Sequence, residues 1–164
     1  MPKANLTKDA FEVLRGFDGI IIRKHIYGFE AGRVIDTNAI ASVIDAYTAD
    51  VIPCGIPVIR KEISGVPTYK VLPPTDATVS DTTTYAFRLP DGWSYVGIAA
   101  ATVRKNQACP IMYNGVVNET AMLNSLKQLF PSSMETPTAL SLSALKSACP
   151  HLQFMTDETM EAAS

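Results

Sequence analysis

A short turn, Pro53-Cys54-Gly55, joins two apolar, β-rich segments and constrains the fold of this chain more than any other stretch. Pro53 fixes the backbone angle φ at the first turn position, and Gly55 can adopt the positive φ that such turns often need. Residues 58–61 (Val-Ile-Arg-Lys) then begin a second β-rich run that ends in two cations. The stretch 52–61 therefore predicts a strand, a tight turn and a second strand.

The composition bounds the class of protein. The 164 residues suit one domain, or a small domain with a structured extension, and a hydrophobic share of 47% is ample for a core. The net charge of −2 argues against nucleic acid as the main ligand, because phosphate binding needs a basic excess. No apolar run approaches the roughly 18 residues that cross a bilayer, and no signal peptide is recognised, so no membrane partner is expected. The three widely spaced cysteines are expected to be reduced.

Strands dominate the first two thirds of the chain in the residue pattern. Such segments are rich in β-branched and aromatic residues, or alternate apolar with polar residues, and they end at glycine, proline or polar turns. The predicted strands are 17–29, 40–51, 66–72, 85–89, 95–103, 111–117 and 152–155. Residues 28–37 are expected to form a turn or loop leading into a brief strand, and 75–84 a polar surface loop.

Helices are predicted mainly late in the chain, after a short one over 7–16. Asn118 is an N-cap candidate, and the apolar spacing after it predicts a helix near 118–130. A second helix is predicted near 138–149, beginning at about Pro137 or Leu142, with Thr136 or Ser141 as its cap. The pattern thus predicts a mainly β fold with late helices, a β-rich α+β class built as a small barrel or sandwich.

The predicted strand at 17–29 mixes apolar, cationic and aromatic residues. One face carries Ile20, Ile22 and Ile26, and the opposite face carries cations together with Tyr27 and Phe29. Two interpretations fit this pattern, a solvated strand face and a docking surface for a partner.

No catalytic, cofactor or metal motif stands out in the sequence. Cys149 and His151 are the nearest pair of ligand type, and no CxxC or HxxxH spacing is present, so no metal site is predicted. The sequence has no GxSxG elbow, Walker loop or dinucleotide fingerprint. Cys54 is conceivable as a reactive thiol, but a small side chain tolerated in a turn is the favoured interpretation. We therefore predict no catalytic residue, no cofactor and no enzymatic activity.

Five short segments occur in a recognisable order. They are 51–58 (VIPCGIPV), 93–98 (WSYVGI), 112–117 (MYNGVV), 118–122 (NETAM) and 152–155 (LQFM). This order resembles that of tailed-bacteriophage head decoration proteins, in which an "I-P-A-G-T-P-V" turn precedes a "P-v-G-i-l" strand, a strand ending in glycine, an "n-e-x-a-l" helix start and a closing strand. Residues 1–40 resemble instead part of the longer auxiliary capsid and head-fibre proteins of crAss-like and related Bacteroidetes phages. Cys54 replaces the family's usual small residue and leaves a thiol that could be exposed.

The resemblance implies a compact barrel or β-tulip with one or two helices, without catalysis or a cofactor. It implies a structural virion protein, made in the host bacterial cytoplasm, that binds the outside of the assembled capsid and stabilises it. The implied partner is the major capsid protein, and self-association as a dimer or trimer is left open. The implied division is an N-terminal arm at 1–40, a decoration-protein core at 41–155 and an acidic tail at 156–164.

The N-terminal arm is the predicted capsid contact. Residues 20–26 would pair with the capsid as an added strand or lie in a groove of it. Aromatic and arginine side chains are favoured as anchors at such contacts. The predicted contact residues are Ile20, Ile22, Arg23, Lys24, Tyr27, Phe29 and Arg33.

Two other classes of function stay open for this sequence. One is the base of a head fibre, or a module on the capsid that binds a host surface or glycan through the loop at 75–84. The other is a cytosolic ligand-binding or enzymatic barrel, for which a deep pocket with converging polar groups would be the sign.

Overall fold

A computed structural model describes residues 15–16, 18–38, 51–76, 84–127 and 139–156. Several predicted segments lie wholly or mostly outside these described residues, and nothing follows for them. They are the helix at 7–16, the strand at 40–51, the loop at 75–84 and the tail at 156–164.

The described chain is mainly β, with a curled half-barrel sheet and a few short helices. The strands are β1 (Ile22–Val34), β2 (Val51–Ile52), β3 (Pro57–Ile63), β4 (Val66–Val71), β5 (Thr75–Asp76), β6 (Thr84–Ala86), β7 (Ser94–Ala99), β8 (Val103–Arg104), β9 (Ala108–Asn118), β10 (Ala139–Ser141) and β11 (Leu152–Met155). The described helices include α1 (Asp18–Ile21), α2 (Glu119–Lys127) and α3 (Ser143–Ala148). The prediction of a β-rich α+β fold is confirmed.

The main sheet has the strand order β1-β9-β7-β3-β4, and β11 also pairs with β9. Neighbours along this order are antiparallel, whereas β11 runs parallel to β9. Strands β3 and β4 form a two-residue hairpin, in which Ser64 and Gly65 have the positive φ values, 52° and 79°, that such a turn needs. Smaller sheets contain β10-β6-β5 and β2-β8.

The main sheet curls until its two outer strands meet. Directly after β1, the backbone N–H of Asp36 donates to the carbonyl of Tyr69 in β4 at 2.9 Å, and Asp36 forms a β-bridge with Lys70. The side chains of Asp36 and Lys70 also approach, with 3.5 Å between Oδ2 and Nζ. The contact turns an open sheet into a half-barrel whose two outer strands are linked just beyond β1.

The Pro53–Gly55 turn sits in the centre of the core, as its apolar flanks suggest. Gly55 has φ +87°, and a Cβ placed there would lie 3.0 Å from Met122 of α2 and 3.3 Å from Ile21 of α1. Only glycine supplies both this backbone angle and this close approach without strain. Every residue from 51 to 59 is buried. The predicted turn is confirmed, and it lies inside the molecule.

Helix α2 covers this turn and begins where the sequence predicted. The Oδ1 atom of Asn118 accepts a hydrogen bond from the backbone N–H of Ala121 at 3.1 Å, which is the N-cap contact. Met122 and Leu126, spaced four residues apart, are almost wholly buried. The predicted closing strand at 152–155 is also present, as β11.

The second late helix begins at the later of its two predicted starts, near Leu142, and the earlier start near Pro137 was wrong. Residues 139–141 form strand β10, which pairs in parallel with β6, and helix α3 begins only at Ser143. Leu142 occupies the N-cap position and makes no side-chain capping bond, whereas the hydroxyl of Ser141, the predicted cap, accepts from the backbone N–H of Ser143 at 3.5 Å from one residue further back. The pairing with β6, more than fifty residues earlier in sequence, outweighed the local helical pattern.

The N-terminal arm prediction was also wrong for the described residues before 40. Residues 18–21 form a helical turn, and 22–34 form one long strand where a break near 28 was predicted. Strand β1 pairs with β9 from Ile22 opposite Val117 to Val34 opposite Ala108. The arm is therefore an outer strand of the main sheet, because β9 offers it backbone partners from Ile22 to Val34, with interruptions where the register shifts.

The predicted strand at 95–103 is interrupted. Strand β7 ends at Ala99, and β8 begins at Val103. Between them Thr102 is held by two hydrogen bonds to the carboxylate of Asp18, which draw the chain away from the line of the strand.

Among the helices that the structure describes, none has the length and apolar content needed to cross a bilayer.

Candidate functional site

The predicted contact residues fall into two groups along β1, which we call its first half (22–27) and its second half (28–34). Ile20, Ile22, Arg23, Lys24 and Tyr27 lie on or just before the first half, and Phe29 and Arg33 lie on the second. The side chains of the first group are exposed or half-exposed, and Tyr27 is 61% exposed. Phe29 and Arg33 are half-buried and contact one another, with the Arg33 guanidinium carbon 4.7 Å from the centre of the Phe29 ring.

The first half of β1 is exposed on both faces. Residues 23–27 are exposed without a break, although a regular strand would turn every second side chain inward. The pairing with β9 shifts between Ile22 and Lys24 and again between His25 and Tyr27, so that β-bulges interrupt the alternation. Among the residues that the structure describes, no strand pairs with the outer edge of β1. The result is a continuous exposed strip of cationic and apolar side chains.

A polar contact in α1 anchors the start of β1. The carboxylate of Asp18 accepts hydrogen bonds from the N–H and the hydroxyl of Thr102, at 2.8 and 2.5 Å. The Thr102 hydroxyl in turn accepts one from the backbone N–H of Cys54, at 3.2 Å. Burial raises the pKa of the Asp18 carboxyl, and the hydrogen bonds from Thr102 oppose this rise. Ile21 is wholly buried beside the central turn, so the backbone just before the exposed strip is held in place by the core.

The second half of β1 faces a groove lined by aromatic rings. Phe29 packs edge-on against Tyr69 of β4, with 6.4 Å between ring centres, and against Tyr113 of β9, at 5.7 Å. Tyr95 of β7 also lines the groove, and its hydroxyl donates to the carbonyl of Phe87 at 3.0 Å. The volume of the groove is about 610 Å³, and it is open to solvent along one side. It exists because the sheet curls and brings β1 towards β4.

Three charged residues of β3 lie at the edge of this groove. Arg60 and Glu62 are 3.9 Å apart and both well exposed, so their attraction is weak. The Lys61 amine extends over the turn before β7, where a Cβ placed on Gly92 would lie 3.1 Å from Nζ. Among the described residues, no carboxylate lies within ion-pair distance of Lys61. The edge of the groove thus carries an excess of positive charge.

The three cysteines are buried and unlinked, which corrects the expectation of an exposed thiol at Cys54. Cys54 is 1% exposed, and burial raises its pKa far above the ordinary value, with Asp18 adding to the rise. Burial also raises the pKa of Cys109 to about 12 and that of Cys149 to about 11. A protonated, buried thiol is a poor nucleophile, which agrees with the favoured interpretation of Cys54 as a small side chain tolerated in a turn and argues against the alternative of a reactive thiol.

Within the described ranges, no three His, Cys, Asp or Glu side chains cluster closely enough to hold a metal ion. The arrangement instead offers two surfaces for binding, the exposed strip and the aromatic groove. The strip contains residues predicted from sequence. The groove adds Tyr69, Tyr95, Tyr113 and Lys61, which were not predicted. The aromatic character of the three tyrosines is a local signal, but nothing local indicates that β4 and β9 bring Tyr69 and Tyr113 to Phe29.

Comparisons with known proteins do not assign the chain to a family. No family model matches it, and neither the curated proteins nor the solved structures contain a significant match.

Proposed function

We propose that this chain is a structural virion protein that binds the outer surface of an assembled phage capsid and stabilises it. The observation that carries the proposal is the strip formed by residues 23–27 on an outer strand, exposed on both faces. Ile26 and Tyr27 are 41% and 61% exposed and lie beside two cations. Aromatic and arginine side chains of this kind are common anchors in protein interfaces. The resemblance of the 51–58 turn and later segments to decoration proteins supports the major capsid protein as the partner.

The shape of the strip favours side-chain docking over addition of a strand. The bulges interrupt the regular spacing of backbone hydrogen-bonding groups along the outer edge, and bulged edges are poor templates for a further strand. We therefore expect the strip to lie in a depression of the capsid surface. Many equivalent copies, each binding weakly, would together stabilise the assembled shell, because they bind the shell and not its separate subunits.

The first test is quantitative mass spectrometry of purified virions of the phage that encodes this chain. We expect one copy per one or a few major capsid subunits. A ratio of a few per cent would indicate a fibre or vertex component, and absence from the virion would overturn the proposal.

A variant pair locates the contact. Replacing Arg23 and Tyr27 together by serine is expected to lower the occupancy on capsids, because it removes a cation and the largest exposed ring of the strip. Ile63→Ser is the matched control, since Ile63 is also exposed (48%) but lies at the end of β3. Both proteins should keep the melting temperature of the parent. Equal occupancy of the two variants would show that the strip is not the contact.

A further inference from the structure

The aromatic groove is separate from the strip that the proposed capsid contact uses. Its rings come from β1, β4, β7 and β9, and its cations come from β3. At about 610 Å³, it lies within the range of roughly 300–1,000 Å³ that is usual for small-ligand sites. The groove therefore has room for a ligand of its own.

The form of the groove favours a carbohydrate over a peptide. A peptide usually adds to a free strand edge or inserts side chains into deep pockets. Here the edge of β4 beside the groove is already occupied, since Asp36 donates to the Tyr69 carbonyl at 2.9 Å and accepts from the Val71 N–H at 3.4 Å. What the groove offers is shallow ring surface beside polar groups. This suits a sugar ring, which presents a face of C–H groups to an aromatic ring and hydroxyl groups around its rim.

The charge at the groove's edge favours an acidic sugar. The Lys61 amine has no carboxylate partner among the described residues, and Arg60 is held only weakly by Glu62, at 3.9 Å. Arg33 adds a further cation behind the Phe29 ring. A carboxylate on a sugar would make charge-assisted hydrogen bonds with Lys61 and Arg60, while Glu62 could accept from sugar hydroxyls.

We propose that this groove binds a carboxylate-bearing glycan. The sugar rings stack on Tyr69 and Tyr113, and the carboxylate lies against Lys61 and Arg60. This binding is independent of the capsid contact, because it uses the second half of β1 and leaves the strip free. On an assembled shell, many copies of the groove would bind a polymeric acidic glycan far more tightly than one copy does.

The test is a titration of the full chain, followed by NMR, with the trimer of galacturonic acid. Its methyl ester is the matched neutral probe, because it keeps the sugar rings and removes the charge. We expect the acid to bind and to shift signals of β3, β4 and β9, with an affinity roughly tenfold higher than that of the ester. Equal affinities would overturn the role of the carboxylate, and failure of both probes to bind would overturn the glycan site.

Four variants and a peptide probe assign the site. Lys61→Gln should weaken binding of the acid and leave the ester unchanged, and Lys24→Gln, in the exposed strip, should change neither. Tyr113→Ala should weaken both probes while the protein keeps a folded spectrum, and Tyr113→Phe should bind both as the parent does, which assigns the effect to the ring and not to its hydroxyl. Equal effects of Lys61→Gln and Lys24→Gln would overturn the placement in the groove. Binding of a short glutamate peptide in place of the sugars would overturn the glycan class.

Discussion

The two halves of β1 pair with the same strand, β9, and yet their surroundings differ. Residues 23–27 are exposed without a break, whereas in the second half Phe29 is half-buried between Tyr69 and Tyr113 and Gly32 is buried. Strand propensity cannot produce this difference, because both halves are strand. The difference comes from the curl of the sheet, which brings β4 to the second half only.

The two halves of β1 carry the two proposed binding surfaces separately. The first half offers a strip on which a large partner can dock, and the second half forms one wall of a groove that suits a small ligand. Because the backbone of β1 is continuous, the two surfaces stay at a fixed distance from each other. Variants in either half should therefore affect one surface and leave the other unchanged, unless they break the pairing with β9.

The largest expected effect comes from Gly28, at the junction of the halves. A Cβ placed there would lie 2.2 Å from the carbonyl oxygen of Ile111 in β9, and a backbone atom cannot move aside cheaply. We expect Gly28→Ala to lower the free energy of unfolding by about 3 kcal/mol, measured by urea denaturation.

Gly19→Ala is the matched control for this variant. A Cβ at Gly19 meets no atom within 4 Å, so we expect a change within about 0.5 kcal/mol. Equal stabilities of the Gly28 and Gly19 variants would mean that β1 and β9 do not approach as closely at Gly28 as the structure has them. The junction would then not separate an exposed half of β1 from a packed half.

A smaller effect is expected from single aromatic residues on either side of that junction. Phe29→Ala removes a half-buried ring from two edge-on contacts and should lower the free energy of unfolding by about 2 kcal/mol. Tyr27→Ala, two residues earlier and 61% exposed, should change it by less than about 0.5 kcal/mol. Thermal unfolding of the two variants measures the contrast directly. A large loss for Tyr27→Ala would show that the first half is packed and not free for docking.

The smallest effect concerns the anchor of the first half. Burial raises the pKa of Asp18 above its ordinary value of 3.8, so the folded state favours the protonated carboxyl. The stability that this group contributes is then fully present below pH 3.8 and decreases as the pH rises through the folded-state value. Asp18→Asn has no such titration. We expect the difference in unfolding free energy between parent and variant to shift in favour of the variant from pH 3.5 to pH 7, and a constant difference would contradict the raised pKa.

What the sequence predicts well depends on how local the cause is. The turn at Pro53–Gly55, the N-cap at Asn118 and the closing strand at 152–155 each follow from neighbouring residues, and each is present. The continuity of β1 does not follow, because the pairing with β9, about eighty residues later, straightens the segment that its glycines suggested would turn. Gly28 serves there for close approach to β9, whereas Gly32, with φ +74°, lies where the register with β9 shifts between Phe29 and Arg33.

For the candidate sites, too, the features with a local cause were predicted and those that depend on distant residues were missed. The exposed strip was predicted from a local mixture of cations, aromatic and apolar residues. The groove was missed because its rings come from four strands that meet only when the sheet curls. The break after Ala99 was also missed, since Thr102 is held by Asp18, which is 84 residues away in sequence.

The reaction of the three buried cysteines with a thiol reagent measures how often different parts of the fold open. Cys109 lies opposite Arg33 in the β1–β9 pairing, Cys54 lies in the central turn, and Cys149 follows α3. With their thiols protonated and enclosed in the folded state, each can react with a reagent only when its own surroundings open. The rate at which each sulfur is labelled thus records how often that part of the protein comes apart. A partner bound along β1 would slow the labelling of Cys109 before that of Cys149.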